Sequence, residues 1–362
     1  MIRLLHAADF HLDSAFGALT AENAKLRRRE GRDIIRKLSN YVNQNAVDIV
    51  LLAGDLFDGE TVYRETLESF SAALGAMNAQ VFIAPGNHDP YTSRSPYATH
   101  VWPDNVHIFS ANKIEGVALP ELGCVVYGAA FTSAEQSESL LHGFRAPDDG
   151  RTHLMVLHAD LDAVSAQYDR ITREEVRESG LSYLALGHVH RASGIERIGS
   201  TAAAYCGCIE GRGFDELGEK GFLCGTVEHG NVQMEFVPFA LRRYEVCTVA
   251  IDGGSAEEAV RAAVGRVATD DIYRIILTGE TQEEISLSKL HAALAGDFFH
   301  LELRDQTRMS RDVWARRDED SLRGLFLRDL RAQYDAAADE TQRRRIEQAV
   351  RFGLAALDGR EL

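Results

Sequence analysis

Short apolar runs punctuate the first 240 residues, and amphipathic stretches lie between them. The runs are "VDIVLLAG" (47–54), "AQVFIAPG" (79–86), "CVVYGAA" (124–130), "HLMVLHA" (153–159) and "LSYLALG" (181–187). Each predicts a short buried strand. "ENAKLRRREGRDIIRKLSNYVNQN" (22–45) and "YRETLESFSAALGAMN" (63–78) carry helical periodicity instead. Strands alternating with helices predict an α/β domain. "GFLCGTVEHGNVQMEFVPF" (221–239) predicts two strands joined as a hairpin at His229-Gly230-Asn231.

The pattern changes after "ALRRYEV". A strand at 245–251, a helix at 255–268, a strand at 272–278, a helix at 286–296 and a strand at 299–304 predict a small α+β unit. From about residue 312 the chain is rich in Arg, Asp, Glu and Ala, and "SLRGLFLRDLRAQYDAAADETQRRRIEQAVRFGLAAL" (321–357) is helical in pattern. Leu322, Leu325, Leu327, Leu330 and Tyr334 cluster toward one side. Ile346, Val350 and Leu354 recur at i, i+4 and i+8, which makes one helical stripe. The expected division is 1–240, 241–308 and 309–362, with no internal repeat and no low-complexity linker.

The apolar runs of the first part end alike. "LLHAADFH" ends in Asp9-Phe10-His11, "VLLAGDLFD" in Asp55-Leu56-Phe57-Asp58, and "FIAPGNHD" in Asn87-His88-Asp89. "MVLHAD" carries His158, and "LALGHVH" carries His188 and His190. In α/β sheets, ligands bind at the carboxyl ends of strands. Two divalent ions about 3.5–4 Å apart form a clamp for in-line displacement at phosphorus. Such a pair needs one bridging carboxylate, and Asp55 is the natural choice. Asp9, His11 and one terminal histidine would complete one ion. Asn87, His158 and the other histidine would complete the second. Asn87 adds no charge, so two carboxylates against two dications leave about +2 for an anionic phosphoester. A nitrogen and oxygen donor set suits manganese, iron or zinc better than magnesium or calcium. His88 follows a ligand directly and is placed as a general acid. Asp58 is placed to hold its other ring nitrogen, and Asp89 to support the loop. The remaining histidines, including His6, His100 and His153, read as structural.

Composition changes this picture in one respect. The 362 residues are 45% hydrophobic and carry a net charge of −16. An acidic chain is poorly suited to grip nucleic acid with its own surface, although metal ions can reverse the sign at a site. No apolar run is long enough for a membrane span, and "MIRLLHAADFHLDS" is too polar for a signal peptide. The five cysteines form no disulfide framework, and Cys206-Gly-Cys208 has no second pair to hold zinc. These features lead us to expect a cytoplasmic protein with reduced thiols.

"DFH", "GDLFD", "GNHD", "LHAD" and "GHVH" resemble, in order, the five motifs of the calcineurin-like metallophosphoesterase superfamily. "HAADFHLDSAF" and "YCGCIEGRGFDELGEKG" (205–221) are similar to its SbcD-type bacterial DNA-repair exonuclease branch, most closely the YhaO-like members. The resemblance implies a two-layered mixed β-sandwich flanked by helices, a small α+β capping domain and C-terminal helices. It implies two manganese ions, one held by Asp9, His11, Asp55 and His190 and one by Asp55, Asn87, His158 and His188. His88 and Asp58 would form the acid dyad, DNA phosphodiesters would be the substrate, and an SMC-like coiled-coil ATPase would dock on the C-terminal helices. A homodimer is compatible with it. Protein phosphatases of the superfamily carry a phosphate-gripping arginine where Gly59 stands and a glutamate where Asp89 stands, which favours the nuclease branch. Cys206 departs from the proline often found after the tyrosine. The rival function is a phosphatase or cyclic-nucleotide phosphodiesterase with the same metals.

Overall fold

All four residues of the strand Ile49–Leu52 are buried, and their side chains divide between two cores. Val50 and Leu52 join one core, Ile49 and Leu51 the other. Successive strand residues point to opposite faces, so an unbroken apolar run is what a strand covered on both sides requires. In the computed structural model, the described residues are 1–162, 168–228, 230–251, 254–265, 270–281, 285–309, 314 and 316–357. They fall into two compact units, Met1–Glu245 with Asp270–Ile272, and Val246–Thr269 with Tyr273–Leu362.

The first unit is built on two six-stranded mixed sheets. The order in the first sheet is Asn231–Pro238, Gly221–Glu228, Ile2–Ala7, Ile49–Leu52, Gln80–Ile83, Val106–Ile108. The last four run parallel and the first two are added antiparallel. The order in the second is Glu196–Ile198, Thr201–Tyr205, Tyr183–Gly187, Thr152–His158, Cys124–Gly128, Glu115–Leu119. Its four inner strands are parallel and both edge strands antiparallel.

Leu4, Leu51 and Phe82 of the first sheet pack with Val126, Val156 and Ala185 of the second, forming the core between the layers. On the outer face of the first sheet, helix Ala21–Gln44 supplies Ile34, Ile35, Leu38 and Val42, and helix Arg64–Gly75 supplies Phe70 and Leu74. Thr20 caps the long helix by accepting from the Asn23 N–H. Helix Arg173–Glu178 opens on a capping box of Thr172 and Glu175 and puts Val176 on the outer face of the second sheet. The result is the two-layered mixed β-sandwich flanked by helices. His6 crosses the layers: its Nδ1 lies 2.9 Å from Tyr183 Oη and its Nε2 3.2 Å from the Leu186 carbonyl. Burial pushes this ring down to about 3, so it is a neutral pin between the sheets.

The strands Gly221–Glu228 and Asn231–Pro238 pair antiparallel with Glu228 opposite Asn231. His229, placed at that turn by the sequence, lies outside the described residues. In the second unit, strands Tyr244–Ala250, Ile272–Thr278 and His300–Asp305 form a three-stranded sheet in that order. Helices Ala256–Val264 and Leu287–Leu294 complete its core with Val260, Leu290 and Leu294. Residues 266–268 of the expected helix lie outside the described residues.

Helices Leu322–Asp335 and Glu340–Leu357 have a small core of their own. Trp314, Leu327 and Val350 are buried there, with Phe326, Leu330, Tyr334, Ile346 and Leu354 packed around them. The stripe of the last helix therefore faces inward. Leu322 and Leu325 do not join it and remain 70% and 59% exposed, as does Phe352 at 56%. Among the described residues, no helix is long and apolar enough to cross a membrane. All five cysteines are free thiols.

Candidate metal centre

The proposed site residues all sit at the same ends of neighbouring strands. Asp9 and His11 follow Ile2–Ala7, Asp55 follows Ile49–Leu52, Asn87 and His88 follow Gln80–Ile83, and His188 follows Tyr183–Gly187. His158 is the last residue of Thr152–His158. The first two loops stay paired beyond the strands. Asp9 N donates to Gly54 O at 3.0 Å and His11 N to Asp55 O at 2.9 Å.

The backbone is strained at four of these residues. Asp9, His11, Asp55 and His188 have φ of 53°, 42°, 51° and 96°. Left-handed conformations cost L-residues of order 1–3 kcal/mol each and persist where the surroundings over-determine them. Two glycines permit the close packing. A Cβ on Gly86 would overlap Asp55 Oδ1, and one on Gly54, at φ 84°, would lie 2.6 Å from His158 Nδ1.

Asp55 Oδ2 is the meeting point. It lies 3.5 Å from His11 Nε2 and 3.5 Å from His158 Nε2. On the His11 side, His190 Nε2 is 3.2 Å from His11 Nε2 and 3.8 Å from Asp9 Oδ1. Ligand atoms of Asp9, His11, Asp55 and His190 all lie within 4.8 Å of one another. On the His158 side, Asn87 Oδ1 is 2.9 Å from His158 Nε2 and 3.3 Å from His188 Nδ1. Two donor groups thus share one carboxylate.

The outer nitrogens decide the tautomers. His11 Nδ1 faces Asp58 Oδ1 at 3.1 Å, His158 Nδ1 faces the Ala53 carbonyl at 2.9 Å, and His190 Nδ1 faces Glu216 Oε1 at 2.6 Å. These partners are acceptors, and although Arg212 Nη2 also lies 3.3 Å from His190 Nδ1, the carboxylate contact is the shorter; each Nδ1 is thus assigned the hydrogen and each Nε2 the lone pair that turns inward. Burial lowers His11 and His158 and takes His188 down to about 4, so these rings are neutral at neutral pH, the form that could hold a metal. Lone pairs facing each other at 3.2 Å repel unless a cation lies among them. Burial, then the Asp55 charge, push the Asp9 carboxyl well up, and cations would relieve that too. The donor set fits divalent ions.

The residues expected to surround the ligands are also here. Asp58 Oδ1 hydrogen-bonds His11 Nδ1 and accepts from Arg212 Nη1 at 3.2 Å, while His88 Nδ1 is 3.7 Å away on the same oxygen. The His88 side chain is 46% exposed, edge-on to His11, and its backbone N–H donates to Asp55 Oδ1 at 2.9 Å. Asp89 is fully buried and accepts from the N–H groups of Asp55, Leu56, Phe57 and Gly86, and from Tyr97 Oη at 2.5 Å. It ties the "GDLFD" loop to the "GNHD" loop. Sequence reasoning missed Arg212, Glu216 and Tyr168, whose ring centroid lies 5.0 Å from that of His188. Arg212 and Glu216 lie within "YCGCIEGRGFDELGEKG", a segment whose resemblance to the exonuclease branch is the one signal pointing to them.

The calcineurin-like phosphoesterase family matches residues 2–192, a span that contains all nine proposed ligand and acid residues. The chain belongs to this family. Its members are metallophosphoesterases, hydrolases that use divalent ions. Among curated relatives, "Uncharacterized metallophosphoesterase YhaO" of Bacillus subtilis is 29% identical over 246 residues, 65% of this chain and 60% of its own length. "DNA double-strand break repair protein Mre11" of Methanopyrus kandleri is 25% identical over 336 residues, 85% of this chain and 71% of the relative. The protein of the same name from Aeropyrum pernix is 27% identical over 74% of this chain and 68% of the relative.

Proposed function

We propose that this metallophosphoesterase hydrolyses DNA phosphodiester bonds as the exonuclease subunit of a repair assembly. The observation that carries the chemistry is the pair of donor groups sharing Asp55 Oδ2. Asp9, His11, Asp55 and His190 hold one ion, and Asp55, Asn87, His158 and His188 hold the other. Manganese is the proposed metal, with iron and zinc next on donor chemistry. When bound, such a pair supplies a nucleophile at neutral pH and neutralises charge on the phosphoryl oxygens. His88 stands at the exposed rim, where its ring can give a proton to the leaving oxygen. Asp58 orients the His11 ring and lies within 3.7 Å of the His88 ring. Asp89 holds the loop that carries Asp55.

The names of the Mre11 relatives, DNA double-strand break repair proteins, support a DNA substrate, and so do Gly59 and Asp89 at positions where protein phosphatases differ. The net charge of −16 favours the second reading, a phosphatase or cyclic-nucleotide phosphodiesterase. An SMC-like ATPase with a basic surface would reconcile the charge with DNA. In this reading residues 1–240 are the nuclease domain, 241–308 a cap, and 309–362 the docking segment, which offers the exposed Leu322, Leu325 and Phe352. The protein would act in the cytoplasm.

The test is digestion of end-labelled duplex DNA against bis-p-nitrophenyl phosphate, each with manganese, with and without a candidate ATPase. Shortening of the DNA from its ends is expected. Hydrolysis of the small ester alone under every condition supports the second reading. A protein lacking 312–362 is expected to remain a metal-loaded esterase that no longer assembles. Loss of its metals would place those residues in the core.

A further inference from the structure

Arg212 and Glu216 have no part in the function proposed above, yet they close a ring around one half of the centre. Arg212 Nη1 donates to Asp58 Oδ1 at 3.2 Å, and Asp58 Oδ1 meets His11 Nδ1 at 3.1 Å. On the other side, Arg212 Nη2 donates to Glu216 Oε1 at 3.1 Å, and that same oxygen meets His190 Nδ1 at 2.6 Å. The inner nitrogens of the two histidines, 3.2 Å apart, complete the ring. Glu216 is further fixed by the Arg212 backbone N–H, which donates to Oε2 at 2.7 Å.

The segment that carries the pair is firmly seated. Cys208 N and Lys220 Nζ both donate to the His190 carbonyl, at 3.3 and 3.2 Å. Buried Arg27 donates to Glu210 at 2.5 Å. Both oxygens of Glu216 are thus engaged, Oε1 by the His190 ring and Arg212 Nη2 and Oε2 by the Arg212 N–H. A guanidinium fork between two carboxylates fixes both in position as well as balancing their charge. In the other half His158 Nδ1 rests on a backbone carbonyl and His188 Nε2 lies 4.0 Å from Asp160 Oδ2, and no guanidinium fork is seen there among the described residues.

We infer that Glu216, locked by Arg212, is a positioning residue that sets the metal affinity of the Asp9, His11, Asp55 and His190 position alone. The inference rests on the two-ion reading. Its basis is that a carboxylate on the outer nitrogen of a ligating histidine fixes the ring and raises its basicity, and such partners contribute roughly 10–100-fold to metal affinity. Glu216→Gln removes the charge while keeping an acceptor. Arg212→Lys keeps the charge but loses the fork, so it tests geometry without changing the local field.

The experiment is manganese titration of the full chain, counting free ion by its paramagnetic resonance signal, for wild type, Glu216→Gln, Arg212→Lys and the double variant. Wild type should bind two equivalents. Glu216→Gln should keep one unchanged and weaken the other roughly 10–100-fold. Arg212→Lys should weaken the same equivalent by less, and the double variant should resemble Glu216→Gln, because the two act in series. Equal weakening of both equivalents, or no weakening in either single variant, overturns the inference. A wild type that binds fewer than two equivalents overturns the two-ion reading instead.

Discussion

His190 and His158 are aimed at the same carboxylate region by opposite means. His190 Nδ1 meets the side chain of Glu216, 26 residues on, in a loop. His158 Nδ1 meets the carbonyl of Ala53, just past the end of the strand Ile49–Leu52 in the other sheet. The His190 side chain is 25% exposed, and that of His158 is fully buried. One half of the centre is braced by a guanidinium fork between two side-chain carboxylates, whereas in the other His158 leans on the backbone and only His188 has a carboxylate, Asp160, at 4.0 Å. The side-chain half can be retuned by one substitution that leaves the sandwich intact. The backbone half can be reached only by disturbing the strands that carry it.

Asp55→Asn should abolish the comparison by removing the anchor of both halves. Elemental analysis is expected to show loss of both equivalents, with activity lost as well; two full equivalents and normal turnover would contradict the bridge. His88→Ala should leave both halves loaded and lower turnover roughly 10²–10⁴-fold. The loss should shrink for p-nitrophenolate esters, whose leaving group needs no proton, and an equal loss on both substrates would count against a general acid. Gly54→Ala addresses the backbone half. A left-handed φ costs alanine about 1–2 kcal/mol, and the added Cβ lies 2.6 Å from His158 Nδ1. Titration should show weakening of the equivalent that Glu216→Gln spares, and weakening of the other one alone would reverse the assignment of the halves.

Asp169 provides the smallest effect and a control apart from the ligands. Its carboxylate is buried, accepts from the Leu140 N–H at 2.7 Å, and is pushed up to about 7 by burial. Between about 4 and 7 the folded protein keeps a proton that the unfolded chain has released, so its contribution to stability is lost as pH rises through that window. Asp169→Asn should remove this dependence. Its melting temperature relative to wild type should rise by a few degrees from pH 4 to 7.5, with metal content unchanged. A constant difference across that range would show that Asp169 does not titrate there.

The sequence made the proposed ligands legible because the fold puts them all at strand ends, where a buried apolar run stops abruptly. "GDLFD" and "GHVH" announce themselves by that contrast. Thr201–Tyr205 was not legible. "TAAAY" has strong helical propensity, and it is a strand because it pairs with Tyr183–Leu186 inside the second sheet. The three-residue strands Val106–Ile108 and Glu196–Ile198 are too short to show a period. Arg212 and Glu216 lie in a loop, where charged residues have no periodic signature, and their partners are distant in sequence. In the last helices, leucines recur closely enough to fit either side. Only packing shows that Leu327 turns inward and Leu322 and Leu325 do not.

The most direct measurement is paramagnetic resonance of the wild-type protein loaded with two equivalents of manganese. Two ions sharing Asp55 would lie about 3.5–4 Å apart, close enough for exchange coupling. The expected result is a spin-coupled spectrum that gives way to the signal of free ion in Asp55→Asn. Two uncoupled manganese signals in the wild type would contradict a shared bridge at Asp55.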